Sequence, residues 1–399
     1  MIQHEVWWFF LIGAPVVYWL IPHRFRAWFL AALSIALLAR FAGEDLILMA
    51  ALGAFIFAGR RLEPGRWPEW AVAMGRSTVP AWAVFIYFLI SKYVPAMTAI
   101  FAGEGGMFDL AVPLGVSYFS FKLLHYAIEN RRGNLPAHGL DDFVCWLFLA
   151  PIFTAGPIER FDHFINNREV ERFEFRFLRE GVERIAIGLV KKFMAGMVVL
   201  ELMQWTGAPS VLAMSENLDA FSPLQIWTLL LLGFAYLYFD FSAYSDIAIG
   251  SSRLFGLRIM ENFNFPFLAK TLPDFWQRWH MTLAHWVRTY IYMSIIGLTR
   301  NPYTAVIVSF TMMGLWHAAS PHWAAWGMWH GCGLAVFVYW QRFAGKRKIK
   351  IFKTRLGGFA ARALTLLYVA LGGAFTALNG AAPIGASFRI ILHAFGIRI

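Results

Sequence analysis

Thr311-Met312-Met313-Gly314-Leu315-Trp316-His317 closes an apolar run that begins near Tyr303. The run is long enough to cross most of a bilayer, and reading it as a membrane helix decides the fold class. A histidine at that depth is costly unless it faces the bundle interior or water, so His317 is a functional candidate by default. The competing reading is a core imidazole hydrogen-bonded to a nearby carbonyl, because surroundings and not residue type set a histidine's role.

Composition agrees with the membrane reading. Of 399 residues, 59% are hydrophobic and 18% aromatic, while only 15% are charged. Soluble domains sit nearer half apolar and a quarter charged, so this is the composition of an integral membrane protein. The net charge of +11 lies in short loops between apolar runs. That distribution fits anchoring against anionic lipid and gives no reason to expect nucleic acid as a partner. Cys145 and Cys332 both lie in apolar surroundings and read as packing residues. The first apolar run, Val6 to Ile21, has no basic segment before it and no small-residue exit, so it reads as a retained span.

Runs long enough to span lie at 6–21, 27–43, 45–59, 78–101, 110–128, 185–205, 222–247, 303–319, 322–343 and 357–379. Shorter pieces lie at 143–157, 287–299 and 383–397. The expected fold is an all-α polytopic membrane protein, with about ten or eleven transmembrane helices plus re-entrant and interfacial helices around a central cavity. One membrane domain covering 1–399 is the simplest organisation. Arg24 and Arg26 make the first loop basic, Glu44 and Asp45 the second acidic, Arg60 to Arg76 the third basic, and Glu104 and Asp109 the fourth acidic. This alternation places the N-terminus outside and the basic loops in the cytoplasm.

Basic residues on both sides of 143–157 make that piece, with Pro151, Gly156 and Pro157, re-entrant instead of crossing. The same reasoning applies to 287–299. Broken backbone of this kind survives at depth only when buried in protein or lining a cavity. Between Glu159 and Arg184, charges alternate with Phe164, Phe173, Phe175 and Phe177. That pattern reads as an amphipathic helix at the interface.

Two histidines could do chemistry: His280, in Asp274-Phe275-Trp276-Gln277-Arg278-Trp279-His280, and His317. A neutral imidazole is suited to take a proton from an attacking hydroxyl near neutral pH, and a second can orient the first or bind the substrate. His285, His322 and His330 show no tight ligand spacing with acids, so no metal site is expected. Asp240 and Asp246 are the intramembrane acids, with Tyr244 between them. They could form a proton path, although hydrogen bonding to arginine or backbone is the commoner role. There is no Gly-x-Ser-x-Gly elbow, Walker loop, dinucleotide fingerprint or His-Glu-x-x-His.

Five motifs in order carry a resemblance: Pro113 to Phe121, Ala155 to Arg160, Tyr238 to Gly250, Glu261 to Phe267 followed by Asp274 to His280, and Gly314 to His317. Over about 110–335 the chain resembles the membrane-bound O-acyltransferase (MBOAT) family. The nearest branch is the bacterial one that includes alginate O-acetyltransferase and the teichoic-acid D-alanyl transfer protein. The resemblance implies that His317 is the catalytic histidine and His280 the second functional one. Ala318, Ala284-His285 and Thr289 depart from the family pattern, which leaves the acceptor open. Trp316, Trp279, Trp276, Arg278, Asp274, Asn264, Tyr244 and Asp246 are expected to line or support the substrate channel.

The implied activity is O-acyl transfer in the bacterial cytoplasmic membrane, with no bound cofactor. The donor would be a cytoplasmic thioester, acyl-CoA or an acyl-carrier protein. The acceptor would be a hydroxyl of a polysaccharide or other cell-envelope polymer, reached from the other face with or without an extracytoplasmic acyltransferase partner. The alternative is a transporter or channel with no covalent chemistry. Against it stands the lack of a repeated half, which many transporters show. A purely structural membrane subunit would account for the hydrophobicity but not the motifs.

Overall fold

A computed structural model describes residues 4–62, 64–102, 112–348 and 354–398, with the backbone alone for 96–102. Among the described residues the chain is all-helical, with isolated bridges and no strand. Glu104 and Asp109 lie outside the described residues. The apolar runs fall on helices, which is the only way a single segment can satisfy its own backbone in hydrocarbon. His23–Ala42, Pro223–Arg253 and Arg355–Ala377 are long and apolar enough to cross a membrane. Glu69–Arg76 and Val79–Pro95 add a fourth if the pair, bent by 59°, is one span. Other runs read as spans form helices that are shorter, such as Pro302–His317, or more polar. Val116–Arg132, for example, buries Lys122, His125 and Glu129.

The chain divides into two compact units. The first is Met1–Gly188 with Tyr244–Met260, and the second is Leu189–Ala243 with Glu261–Ile399.

Within the first unit, the piece 143–157 is a short helix, Leu140–Phe148, followed by a single tight turn at Ala150–Ile152. Pro151 cannot continue the α-helix, and the segment from Phe143 to Phe153 is largely buried in protein. Gly115, at φ +74°, lets the chain turn beneath Phe153, where a Cβ would sit 2.8 Å from the ring. The motif Ala155 to Arg160 packs on the end of Pro223–Arg253: Gly156, at φ +96°, lies against Ala248. The expected amphipathic helix over Glu159 to Arg184 is instead two helices, Phe161–Asn166 and Phe175–Leu189, with a non-helical stretch between them, and the four phenylalanines of the segment divide as well. Phe173 and Phe175 are 51% and 71% exposed, whereas Phe164 and Phe177 are core. Phe177 stacks on Trp19 at 5.5 Å and lies under the Arg253 guanidinium at 4.5 Å, so it is held by protein and not by lipid.

A cavity of about 620 Å³ opens in this unit. Arg24, Arg26, Arg168, Asp142 and Glu169 are among the residues that line it, and none of the expected site residues does.

In the second unit, 287–299 is the later part of a longer helical run. It starts at Met281, widens to a π-turn over Arg288–Tyr292 and continues as Met293–Thr299. Pro302–His317 and Pro321–Lys346 then form a tight helical hairpin. A Cβ on Gly331 would sit 2.8 Å from Ile307 Cα, and Gly314 and Gly327 likewise lie against the facing backbone. Small residues are what let membrane helices approach this closely.

Candidate active site

His317 is the last residue of Pro302–His317. Asn301 starts that helix, its side-chain oxygen accepting the N–H groups of Tyr303 at 2.9 Å and Thr304 at 3.3 Å. Pro302 takes the first helical position, where no donor is needed. The helix stops because Ala318 is extended, and Ser320 caps the next one by accepting Trp323 N–H at 3.3 Å. The Ser320 hydroxyl also pairs with Asn379 Oδ1 at 2.5 Å, which ties the turn to the loop at the end of Arg355–Ala377.

This turn gathers three indoles around His317. The imidazole stacks on Trp323 with centroids 4.2 Å apart, and it meets Trp316 at 4.5 Å and Trp326 at 5.6 Å nearly edge-on. Met313 and Trp316 are buried, but Leu315 is 36% exposed and His317 is half-buried. The histidine therefore sits half-buried among three indoles.

His280 is built differently. It adopts the left-handed conformation, φ 43° and ψ 53°, immediately before Met281–Val287. Such backbone is uncommon for a residue with a side chain and concentrates at functional sites. The ring is 3% exposed, with Phe241 edge-on at 4.7 Å. Its Nδ1 lies 2.9 Å from Asn262 Oδ1, which also accepts the Thr282 hydroxyl at 2.9 Å. With Oδ1 as acceptor, Nδ1 carries the proton and Nε2 keeps its lone pair. Nε2 is buried and has no hydrogen-bond partner among the described residues. Burial pushes this imidazole down to about 3, so it stays neutral at working pH.

Asn262, the side chain that meets His280, is not among the residues that sequence reasoning singled out. It is wholly buried, whereas the expected Asn264 is exposed. Asn264 acts through its backbone: its N–H donates to Arg278 O at 2.9 Å, and its carbonyl accepts from Arg278 Nη1 at 3.2 Å. Arg278 Nε also donates to Asp274 Oδ1 at 2.6 Å, and Asp274 Oδ2 accepts Lys270 N–H at 3.1 Å. Asp274, Arg278 and Asn264 thus brace the loop that presents Trp276, Trp279 and His280.

The two loop tryptophans separate. Trp279 packs with Phe234, Phe263 and Phe275 at 5.2 to 5.7 Å. Trp276 instead meets Phe310 at 4.9 Å and Trp326 at 5.8 Å, so it shares one indole with His317.

Tyr244 and Asp246 belong to the first unit. There Tyr244 shares a 2.5 Å hydrogen bond with Thr154, and Asp246 accepts from Arg184 Nε at 2.6 Å. Asp240, in the second unit, pairs with Lys192. The intramembrane acids are therefore bonded to basic side chains.

The model of the MBOAT, membrane-bound O-acyltransferase family matches residues 71–377, well over half of the chain. The chain belongs to this family. The match runs beyond the 110–335 core on both sides. This MBOAT chain is 31% identical over 338 residues to the probable alginate O-acetylase AlgI of Azotobacter vinelandii, covering 80% of this chain and 65% of that one. It is 35% identical over 231 residues to the probable alginate O-acetylase AlgI of Pseudomonas aeruginosa, covering 57% and 43%. It is 33% identical over 249 residues to the teichoic acid D-alanyltransferase of Streptococcus thermophilus, covering 57% of each. The MBOAT chain thus spans from 43% to 65% of the length of these relatives.

Proposed function

We propose that this protein is a membrane acyltransferase that moves a small acyl group from a cytoplasmic thioester to a hydroxyl of a cell-envelope polymer or exopolysaccharide. The observation that carries the reading is His317 among three indoles, at the C-terminal end of Pro302–His317 in an MBOAT chain. The names of its relatives, an O-acetylase and a D-alanyltransferase, support a small acyl group and a polymeric acceptor.

In this reading the acceptor oxygen attacks the thioester carbonyl carbon while its proton passes to the His317 imidazole. The carbon–sulfur bond breaks, and the leaving thiolate takes the proton back. General-base help of this kind contributes about 10²- to 10⁴-fold. The Trp323 face against the ring favours the imidazolium as it forms. Trp276, Trp316 and Trp326 limit water, which protects the thioester from hydrolysis. His280, fixed by Asn262 with Nε2 unpaired, orients the substrate or assists His317. The donor is acyl-CoA or an acyl-carrier protein, and an extracytoplasmic partner is able to complete delivery.

The protein belongs in the bacterial cytoplasmic membrane with its N-terminus outside, and with Arg60 to Arg76, Arg160 to Arg184 and Lys346 to Arg355 in the cytoplasm. Loop charge supports this orientation. Single cysteines placed in those loops should escape an impermeant thiol reagent on intact cells, and labelling of any one would break the arrangement.

The activity is tested with purified protein in lipid vesicles, isotopically labelled acetyl-CoA or acetyl-carrier protein, and polymannuronate as acceptor. Label should enter the polymer with wild-type protein and not with His317→Ala. If neither donor is consumed, or if a folded His317→Ala protein transfers normally, the reading is wrong.

A further inference from the structure

Pro321–Lys346 carries a third histidine, His330, which the acyl-transfer reading does not use. Trp323, Trp326 and His330 are spaced by three and four residues, so they follow one face of this helix. Trp326 touches His317 at 5.6 Å on one side and His330 at 4.8 Å on the other. Trp276 closes the group, its indole at right angles to His330 with centroids 5.1 Å apart. His330 is 1% exposed, and its Nδ1 is buried with no hydrogen-bond partner among the described residues. Trp276 Nε1 is buried and unpartnered as well. Buried polar atoms are bonded in the great majority of cases, so two orphans on neighbouring rings call for a partner from outside the chain.

Their chemistry narrows that partner. An indole N–H only donates, so the atom facing Trp276 Nε1 must be an acceptor; an imidazole nitrogen is able to donate or accept. The other rings against these two are Phe310, Trp326 and Tyr368, the Tyr368 hydroxyl being bonded to Trp329 O. A sugar would bring many hydroxyls against rings that offer two unpartnered nitrogens, each unmet hydroxyl costly. An uncharged chain with a few carbonyls and amides between methylenes fits both these rings and the two nitrogens.

Resting on the proposed acyl transfer, we infer that His330 Nδ1 and Trp276 Nε1 form a seat for the amide-bearing arm of the thioester donor, making His330 a positioning residue. The arm of coenzyme A and of carrier proteins has this composition.

A lever on the ring exists apart from His330 itself. A Cβ on Gly372 would sit 2.9 Å from His330 Nε2, tighter than a contact tolerates, so Gly372→Ala must push the imidazole.

The test measures equilibrium binding of tritiated acetyl-CoA, and of acetyl-carrier protein, to the full chain in lipid nanodiscs. Asparagine places an amide nitrogen near the position of Nδ1, glutamine near Nε2, and phenylalanine fills the space without a polar atom. His330→Phe and His330→Gln should weaken donor binding about 3- to 10-fold, the loss of one hydrogen bond, while His330→Asn stays within about twofold of wild type. Gly372→Ala should weaken it as well, and acceptor KM should not move in any of them. If His330→Phe fails to fold, the contrast between asparagine and glutamine and the Gly372→Ala result carry the test.

Wild-type donor affinity in His330→Phe, or glutamine serving as well as asparagine, would assign the ring to packing or to an ordered water only. Wild-type protein that binds neither donor would overturn the acyl-transfer reading and this seat together. Binding that is insensitive to His330 overturns the seat alone.

Discussion

Two groups of polar side chains lie in the apolar part of this protein, and they are satisfied in opposite ways. Asp246 meets Arg184, Tyr244 meets Thr154, and Asp240 meets Lys192. By contrast His280 Nε2, His330 Nδ1 and Trp276 Nε1 are buried without a hydrogen-bond partner among the described residues. Polar groups paired within the chain serve the fold, because their desolvation is offset in place. Buried groups left unpaired cost stability, and each of them calls for an explanation. In the proposed acyl-transfer reading the histidines and tryptophans act, and the paired carboxylates support the fold.

Substitutions should split along the same line. The largest effect belongs to His317→Gln, which keeps some bulk and hydrogen bonding but cannot act as a base. Acyl transfer should fall by about 10²- to 10⁴-fold while labelled donor still binds. Near-normal transfer in that variant would move the base to His280. Next is His280→Ala, with an expected loss of about 10² in turnover at saturating donor. Asn262→Ala frees the His280 tautomer and should cost less, about tenfold, as an outer partner of a functional imidazole does. Unchanged kcat in both would make that pair structural.

The smallest catalytic effect is expected from Asp246→Asn. It should leave kcat within about twofold and lower stability instead. Removing one partner of a fully buried pair costs about 3–5 kcal/mol. Arg184 is one-third exposed, so solvent screening reduces the expected loss to about 1–2 kcal/mol. Thermal unfolding in detergent reads it, and a large loss of kcat without loss of stability would break the contrast between the two groups.

Much of this was legible in the sequence. Apolar runs of bilayer length placed the helices, since helix is the one local answer in hydrocarbon. Pro151 and its flanking glycine and proline marked the break at 143–157. What could not be read was parity and partnership. Glu261 to Phe267 offers two asparagines two residues apart, and nothing local says that Asn262 turns inward and Asn264 outward. Asp246 finds Arg184 across 62 positions, a pairing that only tertiary structure sets. Phe164 and Phe177 looked like lipid anchors because an amphipathic pattern does not say whether its apolar face meets lipid or protein. His330 was weighed only as a metal ligand, because its contact with Trp276, 54 positions away, is set by tertiary structure.

The central claim is that His317 is the group that accepts the proton, and the pH dependence of kcat/KM tests it most directly. A base must be neutral to act, so activity falls as pH drops through its protonation, about tenfold per unit on the acid side. His280 is held down to about 3 and cannot supply a limb in the mildly acidic range. The account predicts one protonation on the acid side in wild type, the same limb at reduced rate in His280→Ala, and a flat residual rate in His317→Gln. An acid limb that persists in His317→Gln with an unchanged midpoint would contradict it.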